Sequence, residues 1–344
     1  MLIWIGKKID DMDVFKFSIF VITLLSFACY FFSTIKIIPL LFIGIFFLRL
    51  SGQGLMSHTA TTTVARFFEK TRGKALSITW LGLSAAEFIM PVLMVFLLTI
   101  TSWGNIWIAI SILVLILLPI ISFLLIKKLK LDSRESLKNY NEEIDTNIKQ
   151  WTRSEVIRDY RFYIVTLNML SMPSIATGVF VYQSFIVSSK NWGPFIMAQS
   201  FMVYSILSVI TLTISGFLID RYTSRRLLIY MNVPLFISTL VLFSFDSSFS
   251  SFVFLGLIGI TNGFANVLGS STWAEIYGVK YIGSIKALTG GLMVLATAAG
   301  TAIFGLLIDA GYTINSIAIF SSVYIAIIVL LLFFFRNKIE PIYI

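Results

Sequence analysis

The sequence predicts an all-α integral membrane protein, a helical bundle made of two pseudo-repeated halves. Three observations carry that prediction. With 58% hydrophobic residues, 12% charged residues and a mean hydropathy of +0.92, the composition lies far outside that of soluble domains. Apolar runs near the length a bilayer core demands, roughly 20 residues, recur along the whole chain. Finally, Gly216-Phe217-Leu218-Ile219-Asp220-Arg221 has a weaker copy in Gly6-Lys7-Lys8-Ile9-Asp10, an offset of 216 − 6 = 210.

Taken in order, the runs are 14–34, 38–65, 74–99, 105–126, 160–188, 194–219, 227–245, 252–274, 285–309 and 314–335. Their length, and the lack of the dyad alternation a membrane barrel would need, make all ten helices. The loops between them divide by charge. Of the 26 Lys and Arg residues, only Lys36 and Lys190 fall in one set of alternating loops and Arg49 lies mid-run; the rest fall in the opposite set, in the run ends bordering it, or at the termini. Positive charge marks the cytoplasmic side, so both termini and the loops near 66–74, 127–159, 220–226 and 275–284 are expected there, in an inner membrane. The net charge of +9 therefore sets topology, and no nucleic-acid partner is expected. Cys29 is the only cysteine, which excludes an internal disulfide and a cysteine metal cluster.

The halves follow from the repeat. Gly73 and Gly283 are again 210 apart, and Lys-Ala-Leu recurs at 74–76 and 286–288, an offset of 212. Two runs precede the second motif copy and four follow it, whereas four follow the first copy and only five residues precede it. The expectation is an incomplete first half of four helices, 1–126, lacking two helices that the six-helix second half, 160–344, possesses. Between them 127–159, rich in Lys, Arg, Asp, Glu, Asn and Ser, reads as a solvated linker.

The segment Gly216 to Arg226 resembles the loop motif of the major facilitator superfamily, and Arg49-Leu50-Ser51-Gly52-Gln53-Gly54 resembles the arginine-glycine motif of that superfamily's fourth helix. More narrowly, Arg66-Phe67-Phe68-Glu69-Lys70-Thr71-Arg72-Gly73-Lys74 looks like a loop of its bacterial monocarboxylate and oxalate/formate-type branch, with Trp273-Ala274-Glu275-Ile276-Tyr277-Gly278 as the matching loop. The resemblance implies a secondary carrier whose halves rock about a central site, with the ten runs as helices three to twelve of twelve. It also implies that Gly216 allows close helix approach, while Asp220, Arg221 and Arg225 pair with neighbouring cytoplasmic ends and act as a gate. The first copy departs from the pattern, since Asp11 stands where an arginine is expected.

Charge inside a membrane span costs at least about 2.5 kcal/mol per group and marks function by default. Arg49 shares a helix face with Gln53 four residues on, and Glu87 lies in a run that also holds Pro91. Arg49 and Glu87 are natural partners across adjacent helices. Glu87 is expected either to carry the coupled proton or to form a static ion pair; Arg49 either binds a substrate carboxylate or ties helices together. Gly259, Asn262, Asn266, Gly269 and Trp273 share one stripe of a helix, suited to a cavity wall or to helix–helix hydrogen bonding. Asn168, Tyr182 and Gln183 form a softer polar group. His58, nine residues after Arg49, faces away from it and is expected to be packed.

No phosphate loop, no nucleophile with a histidine base and no metal-ligand spacing is present, so the chain reads as a non-enzyme without a cofactor. The expected function is proton-coupled secondary transport of a small anionic organic solute by a monomer in the lipid bilayer. The alternative is a non-transporting remnant or a membrane-embedded sensor.

Overall fold

A chain in hydrocarbon has no water to pair with its backbone, so each segment must satisfy its own N–H and C=O groups as a helix. The computed structural model describes residues 2–10, 12–68, 71–128 and 148–343. A short helix α1, Leu2–Gly6, leads to α2, Val14–Ser33. The carboxylate of Asp13 fixes the start of α2 by accepting the N–H groups of Phe15 at 2.9 Å and Lys16 at 3.0 Å, donors that have no partner inside the helix. The first half continues with α3, Ile38–Phe67, α4, Arg72–Ile100, and α5, Trp103–Lys128. The linker ends in α6, Arg153–Arg158, and the second half comprises α7, Tyr160–Val181, α8, Gln183–Ser189, α9, Pro194–Tyr222, α10, Ser224–Ser244, α11, Ser248–Tyr277, α12, Ile282–Asp309, and α13, Ile314–Phe335. Among the described residues nine helices are long and apolar enough to cross a membrane; α4, with 29 residues, fills the remaining predicted span.

Three runs differ in detail from the expectation. The run 160–188 breaks at Tyr182, whose φ of −99° and ψ of 24° leave the helical range and whose hydroxyl packs over Gly305, where a Cβ would collide with it. The run 227–245 starts at Ser224 and turns at Asn232, because Pro234 has no N–H to return to the preceding turn. In α3 the turns from Arg49 to Met56 widen to i→i+5 pairing, a local geometry often found at functional sites.

The repeat is cleaner in the structure than in the sequence. Helices α10, α11 and α12 begin 210 residues after α2, α3 and α4 (224 − 14, 248 − 38 and 282 − 72). The two Lys-Ala-Leu copies, 212 apart, are therefore not equivalent positions. Lys286 takes the place of Leu76 (286 − 210), and Lys74 that of Ser284.

Small residues set how closely the helices approach, as they do where lipid offers no hydrophobic drive. A Cβ on Gly263 of α11 would lie 2.6 Å from the Ser208 carbonyl and 2.7 Å from the Leu212 nitrogen of α9. A Cβ on Gly178 of α7 would meet the Phe304 ring of α12 at 2.6 Å. In the first half Ser26 and Ser111 exchange hydroxyl-to-carbonyl bonds of 3.0 and 2.8 Å between α2 and α5. The two halves meet where α4 packs on α9 and α11 and where α1 packs on α12. Between them Leu76 is enclosed by Leu212, Ile219, Val267 and Leu268. The end of the linker docks on the second half. Lys149 N–H donates to the Ile342 carbonyl at 2.8 Å, and Trp151 N–H to the Tyr277 carbonyl at 3.0 Å.

Candidate functional site

The two motif copies build the contact between the halves at one end of the molecule. Asp220, at the end of α9, reaches across to α4, where its Oδ1 accepts the N–H of Gly73 at 2.8 Å and its Oδ2 that of Lys74 at 3.2 Å. Asp10 does the same in the opposite direction. Its Oδ1 accepts the N–H of Gly283 at 2.9 Å, and its Oδ2 accepts the Ser284 N–H at 2.7 Å and hydroxyl at 2.6 Å. Each carboxylate thus caps the N-terminus of a long helix in the other half, where unpaired donors and the helix dipole favour negative charge.

Glycine is required at both crossings. A Cβ on Gly73 would lie 2.8 Å from Asp220 Oδ1, and one on Gly216 2.5 Å from Ser77 Oγ and 3.0 Å from the Gly73 carbonyl. In the other copy a Cβ on Gly283 would lie 2.5 Å from Asp10 Oδ1, and one on Gly6 2.8 Å from the Ala287 Cβ.

The copies differ in what surrounds the carboxylate. Arg66 Nη2 pairs with Asp10 at 2.6 Å with both side chains buried, and its Nη1 donates to the Ile9 carbonyl at 3.2 Å. Burial pushes the Asp10 carboxyl up from the usual range, against the pull of Arg66 and of the Ser284 and Gly283 donors. Asp220 remains half-buried. Arg225 serves its own half: its N–H donates to Glu275 Oε2 at 3.2 Å, and its guanidinium lies 3.8 Å from Glu340. Arg221 is exposed, over the Tyr222 ring at 5.2 Å. Of the four expected gating residues, Gly216 and Asp220 make the contact between halves; among the described residues these partners of Arg225 and Arg221 lie in their own half. The departure at position 11, which lies outside the described residues, leaves the Asp10 contact intact.

Away from this seam long stretches of α12 and α4 are exposed. In α12 residues 282, 283 and 285–287 are buried, then none until Gly300; Met293, Val294 and Leu295 are exposed. In α4 Arg72, Leu76 and Ser77 are buried, whereas Ile78 and Leu83 are exposed. Gly82 of α4 and Gly269 of α11 face open space, since a Cβ on either would meet nothing.

The expected binding residues are dispersed over this architecture. Arg49 and Gln53 lie in the widened stretch of α3, both exposed. The side chain of Glu87, in α4, lies outside the described residues, as does that of Pro91. Gln183 is exposed at the start of α8. Asn262 donates to Ser208 Oγ at 2.9 Å, joining α11 to α9, and Asn266 is half-buried. Trp273 of the same stripe is buried against Phe162 and Tyr277. Asn168 is fully buried, and Asn232 donates to its carbonyl and its side-chain oxygen at 2.7 and 2.9 Å. His58 is packed, with Nε2 3.0 Å from the Gly6 carbonyl. Asp10, Arg66 and Ser284 were not among the expected site residues. The 210-residue offset shared by the Asp10/Asp220 and Gly73/Gly283 pairs was the signal for Asp10; it carries none for Arg66 or Ser284, whose counterparts are Ile276 and Lys74. Among the described residues no three His, Cys, Asp or Glu side chains gather as a metal centre requires.

The family model of the Major Facilitator Superfamily matches residues 2–211. Among solved structures, the transporter FucP of that superfamily, crystallised in the outward conformation, is similar with a TM-score of 0.68 at 13% identity, covering 98% of this chain and 86% of that one. A variant of the E. coli fucose:proton symporter FucP is similar with a TM-score of 0.62 at 14% identity, covering 97% and 87%. At such identities the likeness shows the fold. A comparison with curated proteins finds no match.

Proposed function

The chain belongs to the Major Facilitator Superfamily, a family of membrane transporters rather than enzymes, and from that membership we propose that it is a secondary carrier working by alternating access. Its cargo in this reading is a small anionic organic solute moved together with protons. The halves 1–126 and 160–344, joined by 127–159, rock against each other across the inner membrane, with both termini in the cytoplasm.

The observation that carries the reading is the pair of crossed caps, Asp220 on α4 and Asp10 on α12. Both lie at the end of the molecule that carries the basic loops, the expected cytoplasmic side. Closure there, with exposed helix faces beyond it, is what an outward-facing carrier requires. Among the described residues hydrogen bonds, glycine contacts, a small apolar core and the Lys74 ammonium over the Phe217 ring at 5.1 Å hold the seam, and such contacts can part and re-form as a unit.

Arg49, a cation exposed within a membrane span, supports an anionic cargo, and the resemblance to the monocarboxylate and oxalate/formate-type branch points the same way. Glu87 is the proposed proton carrier. FucP, the similar structure, is itself a proton symporter by its name, which supports coupling to protons. Gln53, Gln183, Asn262 and Asn266 are the remaining proposed contacts. Uptake of radiolabelled small carboxylates into proteoliposomes with an imposed pH gradient tests the proposal. Accumulation that collapses on adding an uncoupler is expected; a panel of carboxylates with no uptake above empty liposomes rejects it.

A further inference from the structure

Lys286 sits in the seam between the halves, 8% exposed, and its Nζ is buried with no hydrogen-bond partner. The repeat makes the position informative. Its counterpart Leu76 is fully buried in the apolar core between the halves, so an amine stands where the other half places a leucine.

Among the described residues no acceptor reaches that amine. On its own helix Ser284 is bonded to Asp10, and Ala287 abuts Gly6 of α1. From α3 come His58, whose Nε2 is engaged with the Gly6 carbonyl, and Arg66, which pairs with Asp10. From α4 comes Arg72, whose Nε donates to the Ala65 carbonyl at 3.0 Å. Asp10, the carboxylate of this contact, is already taken up by Arg66, Gly283 and Ser284.

Removing an amine from water without giving it an acceptor is uphill. When the halves part, a lysine stem near a helix end can carry its head to water and lipid headgroups. Only the closed arrangement bears the cost. We propose that Lys286 is a conformational device that weights the seam toward opening, keeping closure near balance where a leucine would lock it. This rests on the alternating-access reading.

The test uses the full chain in nanodiscs, with Cys29→Ala and Val64→Cys so that the reporter thiol lies beside the core between the halves, and follows its labelling by a water-soluble maleimide. Lys286→Leu and Lys286→Met are expected to slow labelling about tenfold, the size of effect a buried unsatisfied polar group has, and Lys286→Arg to keep the parent rate. A parent that labels at a rate Lys286→Leu and Lys286→Met leave unchanged or raise overturns the inference and leaves the carrier reading standing. A parent that never labels overturns both. Failure of both apolar variants to fold also overturns it, because an element that opposes closure is dispensable to folding.

Discussion

Asp220 accepts the backbone N–H of Gly73 at 2.8 Å across 147 residues of sequence, and through it the C-terminus of α9 holds the N-terminus of α4. The same geometry recurs between Asp10 and Gly283 at 2.9 Å. A duplicated contact that crosses between halves in both directions closes one end of a two-fold pseudo-symmetric molecule, and the proposed alternating access requires both contacts to break for that end to open.

The two caps should not be worth the same. Asp220→Asn removes a charged cap from a half-exposed site and should weaken closure by about 1 kcal/mol. Asp10→Asn also strips Arg66 of its buried partner, and breaking a buried pair costs about 3–5 kcal/mol. Thermal unfolding in detergent should therefore fall further for Asp10→Asn than for Asp220→Asn; equal or reversed shifts would contradict the asymmetry.

Gly216→Val should separate the halves by sterics alone. Its side chain would meet Ser77 Oγ and the Gly73 carbonyl, an overpacking that costs about 1–3 kcal/mol. The expected result is faster maleimide labelling of a reporter at Val64 with Asp220 intact. A rate equal to that of the parent would show that the glycine contact does not set the closed distance.

The apolar core between the halves gives a prediction independent of the motif. Leu76 is fully buried among Leu212, Ile219, Val267 and Leu268, so Leu76→Ala should cost about 2–5 kcal/mol. Loss of less than about 1 kcal/mol in reversible unfolding would mean that the site collapses freely and does not fasten the halves.

Much of the fold could be read in the sequence, because runs of bilayer length admit one backbone solution and charge orients them. What escaped was register. The Lys-Ala-Leu copies suggested that Lys74 and Lys286 correspond, yet helix starts 210 apart make Lys286 the counterpart of Leu76. Position 11 lacks the arginine of the motif, yet the Asp10 contact needs only a carboxylate and a facing glycine. Asn262 and Trp273 share a stripe, but one side chain bonds to α9 and the other packs on α7, a division that depends on neighbours which helical periodicity does not encode.

The linker end carries a pH-sensitive fastening outside the membrane. The Thr152 N–H bonds to Glu155, with Lys149 and the Thr152 hydroxyl adding to it, and lowers that carboxyl from 4.5 to about 2. A depressed carboxylate stabilises the folded state above its unfolded value and loses that contribution as pH falls from about 4.5 through about 2. Hydrogen exchange at 148–158 should speed up across that window, and Glu155→Gln should show fast exchange at neutral pH. Protection unchanged down to pH 2 would exclude the fastening.

The most direct measurement is a distance distribution between spin labels at Ile78 of α4 and Tyr222 of α9, both exposed, in a Cys29→Ala background in nanodiscs. With Asp10 and Asp220 present a short-distance population should dominate; in Asp10→Asn/Asp220→Asn a second, longer population should grow at its expense. An unchanged distribution in the double variant would mean that the crossed caps do not hold the halves together.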